Sequence, residues 1–123
     1  FVKDLALKNG SEVVIFNSQD VSANILWEND PLKVNRETLY DEKYANETVD
    51  TISHYFDGTD IPIIKRTMLG DPATEILHLL ENDPSIDLVV MTTHRLNTKR
   101  RFLLGSVTNK VVHHAKIPVL VMR

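Results

Sequence analysis

The chain has no cysteine, so it can build neither a disulfide framework nor a thiolate metal site, and a reducing compartment, the cytoplasm, fits without strain. Long apolar runs are missing as well. None exceeds four residues, which excludes a membrane-spanning helix and the apolar stretch of a secretory signal within these residues, so no membrane partner is expected. Neither sign of charge dominates: 14 Lys and Arg against 17 Asp and Glu leave a net charge of -3, and the whole-chain field draws in neither nucleic acid nor anionic lipid. What is present is enough apolar material, 42% of 123 residues, for one domain of two or three layers, read here as residues 1–123.

Val2, Leu5 and Ala6 recur at helical spacing and run into Asn9-Gly10, a helix with a glycine just past its end. Val13-Val14-Ile15-Phe16 follows as a short, continuously apolar strand of the kind covered on both faces. From Asn17 to Thr38 no period holds, and the stretch, with its lone Trp27, reads as a long loop. Ala45, Val49, Ile52 and Phe56 then mark the buried face of a helix that stops at Asp57-Gly58. Ile61-Pro62-Ile63-Ile64 reads as an edge strand, because a proline inside a strand withholds a ladder donor. Asp71-Pro72 opens a helix whose buried stripe is Ile76, Leu77 and Leu80. Ile86 to Met91 reads as a central strand, Gly105-Ser106 opens a helix carrying Val107, Val111 and Ala115 on one face, and Val119 to Met122 closes the chain as a strand. Strand and helix alternate, which calls for crossover connections and a doubly wound, mostly parallel sheet with helices on both faces.

Such sheets place their chemistry at the C-terminal ends of strands. Two places qualify: Asn17-Ser18 with the loop beyond, and Met91 to Ser106, which leads from a central strand into a helix. In the second, Ser106 can cap the helix, Gly105 admits a ligand close to the backbone, and the first-turn amides with the helix dipole favour a phosphate or another anion. The same residues also make an ordinary turn and N-cap. The basic stretch Arg95, Lys99, Arg100 and Arg101 has three readings, namely a solvated loop, a side-chain anion site or a nucleic-acid contact. No interleaved aromatics favour the third. His113-His114 do not point the same way on a helix and suit its C-terminus better than a metal, while His54 and His78 have no partner legible in the sequence. No nucleophile stands with a base and an orienting acid, so no catalytic residue and no metal ligand set is expected.

Four segments then carry a resemblance. Gly70-Asp71-Pro72-Ala73-Thr74-Glu75-Ile76-Leu77, Asp87-Leu88-Val89-Val90-Met91-Thr92-Thr93-His94, Leu103-Leu104-Gly105-Ser106-Val107 and Ile117-Pro118-Val119-Leu120-Val121-Met122-Arg123 resemble, in order and spacing over nearly the whole chain, the universal stress protein family. The resemblance implies a five-stranded parallel α/β sheet of the adenine nucleotide α-hydrolase-like kind. It also implies a homodimer and, in the ATP-binding branch, phosphates held by Gly, two residues, Gly, nine residues, Gly, then Ser or Thr. It places a nucleotide site at Ser18, Met91, Thr92, Arg95, Gly105, Ser106 and Val107, with His94 in a structural hydrogen bond. This chain keeps Gly105 and Ser106 but has Thr92 and Arg95 where the first two glycines would stand. Those glycines let the backbone wrap the phosphates, so the expectation is a stress-response binding module with a degenerate nucleotide site. The alternative is an ATP-binding, slowly hydrolysing protein that holds phosphate by basic side chains. Pairing through Pro118 to Arg123 is expected on a second ground, because an apolar strand at a sheet edge invites a partner. The resemblance also places a central strand immediately before Phe1, which leads to the expectation that a strand is missing from this sequence but present in the folded molecule.

Overall fold

A computed structural model describes residues 1–19, 43–93 and 104–123. The sequence readings of the long loop beyond residue 19 and of the basic stretch, including Trp27, His94, Arg95, Lys99, Arg100 and Arg101, lie outside the described residues. The chain divides into two compact units, Phe1–Pro72 and Ala73–Arg123.

The first unit opens with α1, Val2–Asn9, which ends where its sequence says it must. Gly10 takes the left-handed conformation, φ 63° and ψ 36°, and its N–H caps the helix on the Ala6 carbonyl. Strand β1, Val13–Gln19, follows. Helix α2 covers residues 43–53 and tightens into a 3-10 turn at His54–Phe56 before β2, Ile63–Leu69. The two strands pair in parallel, Val13 opposite Ile63 through Gln19 opposite Leu69. Ile15, Val49 and Phe56 form the buried cluster, with Val2, Val13, Ile61 and Ile63 packed against it. Ala6 and Ala45 are buried too.

Three expectations change here. Pro62 is not inside β2 but directly before it, where its carbonyl accepts the Val13 N–H at 2.9 Å and its missing donor costs no ladder bond. Both strands run further than their apolar runs, because Asn17, Ser18 and Gln19 and the facing Thr67, Met68 and Leu69 continue the ladder with polar or exposed side chains. Ile52 shares the helical spacing of Val49 and Phe56 yet is 39% exposed, since the packing around Ile15 is filled by Val2, Val13, Ile61 and Ile63. The side of β2 away from β1 has no ladder partner among the described residues, and of its two exposed cations, Lys65 and Arg66, Lys65 donates from Nζ to Asp50 Oδ1 on α2 at 2.8 Å.

In the second unit, α3 (Pro72–Asn82) precedes β3 (Val89–Thr92), α4 (Ser106–His114) and β4 (Val119–Met122). Ala73 is the buried residue of α3, whereas Ile76, Leu77 and Leu80 are half-buried. Strand β3 starts later than its apolar run because Ile86 is held in a turn, its N–H on the Asp83 carbonyl and Ser85 on the Asp83 carboxylate. Strands β3 and β4 pair in parallel, from Val89 opposite Val119 to Thr92 opposite Met122. Each unit is thus strand, helix-bearing crossover and parallel strand, and the chain has the α/β class read from its sequence, with four strands in two parallel ladders among the described residues. No described helix is long and apolar enough to cross a membrane.

Candidate functional site

The two strand-end places indicated by the sequence belong to different units. In the first unit, β1 and β2 finish side by side at Gln19 and Leu69. Ser18 is half-buried, and its Oγ donates to the Gly70 carbonyl at 3.0 Å. Gly70 in turn donates its N–H to the Gln19 carbonyl at 2.8 Å, closing the strand ends together. Gln19 Nε2 donates to Asn17 Oδ1 at 2.9 Å, and Thr67 Oγ1 to Asn46 Oδ1 at 3.2 Å. Ser18 therefore has a structural partner of its own. Its hydroxyl braces the turn after β2 and retains two lone pairs with which to accept.

In the second unit, Met91 is half-buried and Thr92 is exposed as the last residue of β3. Both stand in regular ladder positions, Met91 opposite Val121 and Thr92 opposite Met122. Among the described residues no side-chain-bearing residue has a positive φ, so Thr92 sits in a conformation that suits it without strain. The next residue, Thr93, is buried and extends the ladder, its N–H on the Met122 carbonyl at 2.9 Å.

The helix end is built differently from the reading in which Ser106 caps it. Gly105 is the N-cap, with extended φ -60° and ψ 158°, and Ser106 is the first helical residue, exposed and without a side-chain cap bond. The cap shifts by one residue because Gly105 supplies the first intrahelical acceptor: Asn109 N–H meets its carbonyl at 2.9 Å. The amides of Ser106, Val107 and Thr108 precede that first bond, and together with the aligned peptide dipoles they make the start of α4 favourable to negative charge. Among the described residues nothing lies within 4 Å of where a Cβ on Gly105 would stand, and its φ is one any residue adopts. Neither the described neighbours nor the backbone conformation requires glycine there. Val107 is half-buried, while Thr108 and Val111 lie in the interior.

The histidines divide by local geometry. His113 donates from Nδ1 to the Asn109 carbonyl at 2.9 Å, a bond within the last turns of α4, as its place at a helix C-terminus suggests. His54, without a partner in the sequence reading, has one in space: its Nδ1 lies 3.0 Å from Asp57 Oδ2 across the 3-10 turn. The pair is exposed on both sides and worth little to stability. The signal was the i, i+3 spacing, obscured because Asp57 also reads as a helix stop. Among the described residues no three His, Asp or Glu side chains gather as a metal set.

Comparison with known proteins places this geometry. The family model described as the universal stress protein family matches residues 1–123. A Staphylococcus saprophyticus protein named "Putative universal stress protein SSP1056" is 28% identical over 128 residues, covering 98% of this chain and 71% of that protein. A Staphylococcus haemolyticus protein of the same description, SH1215, is 38% identical over 58 residues, which amount to 47% of this chain and 35% of that protein, so that match spans about a third of the relative's length. Among solved structures, the universal stress protein UspA from Lactobacillus plantarum superposes with a TM-score of 0.82 at 21% identity, over 99% of this chain and 84% of that one. The hypothetical protein MJ0577, the subject of a structure-based assignment of biochemical function, superposes with a TM-score of 0.75 at 23% identity, over 97% and 85% of the two chains. At these identities the structural likeness speaks for the fold.

Proposed function

The chain belongs to the universal stress protein family, and from that premise we propose that it is a cytoplasmic stress-response binding module, paired with a second copy of itself, whose adenine-nucleotide site has lost most of its grip. The observation that carries this reading is the contrast between the two ends of the candidate phosphate site. At Gly105, the N-cap of α4, φ is one that any residue adopts and no described residue crowds the Cβ position, so a glycine there fits the approach of a ligand to the helix amides better than a need of the backbone. At Thr92 a side chain stands exposed at the C-terminal end of β3, where the resemblance expects bare backbone. The α4 start keeps its affinity for an anion, while Thr92 and Arg95 replace two of the three glycines that the resemblance assigns to wrapping the phosphates.

Titration calorimetry with ATP and Mg²⁺ tests the proposal. Weak binding is expected of the unaltered chain, and Thr92→Gly with Arg95→Gly should tighten it by about tenfold, the worth of one recovered hydrogen-bonding contact of about 1.4 kcal/mol. Sub-micromolar binding by the unaltered protein overturns the proposal. A second reading, an ATP-binding and slowly hydrolysing protein, is favoured by the four cations Arg95, Lys99, Arg100 and Arg101. It requires that Lys99→Ala and Arg101→Ala weaken ATP binding steeply, whereas the first reading requires that they leave it nearly unchanged.

A further inference from the structure

Asn9-Gly10 is the one Asn-Gly pair in the sequence. A glycine after asparagine leaves the backbone nitrogen unshielded by any Cβ, so that nitrogen can reach the asparagine side-chain carbonyl carbon once the chain leaves the helical conformation. The N–Cγ bond forms, the Cγ–Nδ2 bond breaks, and ammonia departs with the proton from the glycine nitrogen. Water then opens the resulting succinimide at either carbonyl, giving aspartate or isoaspartate. One water enters and one ammonia leaves, and no oxidant or other reactant is needed.

We propose that Asn9 is a slow deamidation site restrained by the C-terminal cap of α1, so that its conversion marks chains in which the last turn of that helix has opened. Asn9 is exposed, and burial gives it no protection from water or base. Its protection is conformational. The residue is the last of α1, its Nδ2 donates to the Leu5 carbonyl at 2.8 Å, the attacking Gly10 nitrogen is engaged on the Ala6 carbonyl, and Ser11 N–H reaches the same carbonyl at 3.0 Å. Every atom that must move for the reaction is tied to the preceding turn. In that last turn only Ala6 is buried, with Leu7, Lys8, Asn9 and Gly10 all exposed, the kind of segment that opens locally well before the molecule unfolds. The product cannot restore what it replaced. A carboxylate has no donor for the Leu5 carbonyl and puts negative charge at the negative end of the helix dipole, and isoaspartate lengthens the backbone at the residue preceding the left-handed Gly10 cap.

The test is to incubate the full chain in mildly alkaline buffer, folded and in urea, and to follow every asparagine by peptide mass mapping. Asn9 should convert first in both samples, and at least about tenfold more slowly when folded, as expected of a reaction gated by local opening. Leu7→Gly, at a position already 52% exposed, lowers helix propensity without touching the interior. It should speed conversion of the folded chain severalfold and leave the rate in urea unchanged. Equal rates with and without urea, earlier conversion of Asn46 or Asn82 in the folded chain, or indifference of the folded rate to Leu7→Gly would each overturn the proposal.

Discussion

Phe56→Ala is expected to lower the unfolding free energy by about 3 kcal/mol, whereas Ile52→Ala, four residues earlier on the same nominal helix face, should cost no more than about 0.5 kcal/mol. The two residues look alike in the sequence, each a large apolar side chain at helical spacing from Val49. Phe56 is 9% exposed and belongs to the cluster with Ile15 and Val49, while Ile52 is 39% exposed. Truncating Phe56 removes a ring from between a helix and a strand and leaves a cavity that backbone hydrogen bonds on both sides prevent from closing. Truncating Ile52 shortens a side chain that already meets water over 39% of its surface and lies outside that cluster. Urea unfolding of the two variants checks the difference, with the transition midpoint read at constant slope. Equal losses would mean that the cluster around Ile15 does not hold the first unit together.

The same pair shows where the sequence was legible. Element type followed from local causes: Gly10 stops α1 because only a left-handed residue can turn the chain there, and the β-branched run at Val13 starts β1. Element extent did not. The C-terminal halves of β1 and β2 are held by ladder bonds between Asn17, Ser18 and Gln19 and residues roughly fifty positions away, a long-range cause that no local pattern of polar residues displays. Register with Val13 likewise decides why Pro62 lies outside β2, since its carbonyl is fixed by a partner far along the chain. At the candidate site, the positions of Thr92 at a strand end and Gly105 at a helix start were legible because strand-to-helix crossovers put them there. Which residue caps α4 was not, because Gly105 and Ser106 both satisfy the compositional rule and only the Asn109 bond to the Gly105 carbonyl distinguishes them.

The proposed pairing of two copies through Pro118 to Arg123 can be broken at one atom. Among the described residues β4 has a ladder with β3 on one side only. The Val89 N–H meets the Pro118 carbonyl at 3.0 Å and the Thr93 N–H meets the Met122 carbonyl at 2.9 Å. Successive residues of a strand present their N–H and C=O groups to alternate sides, so positions 118, 120 and 122 serve β3, and Val119 and Val121 face the open side. A two-fold axis beside β4 would pair those outward groups with their copies in antiparallel fashion and cover Leu120, which is 36% exposed. Val121→Pro removes one outward donor and leaves every bond to β3 in place, at an edge position of the kind where proline is tolerated. Sedimentation at micromolar concentration should therefore give a two-chain mass for the unaltered protein and a one-chain mass for Val121→Pro, with the far-ultraviolet spectrum retained. Leu120→Asp, which sets like charges against each other across the axis without altering the backbone, should have the same effect. A one-chain mass for the unaltered protein, or a two-chain mass for both folded variants, would show that β4 is not the pairing edge.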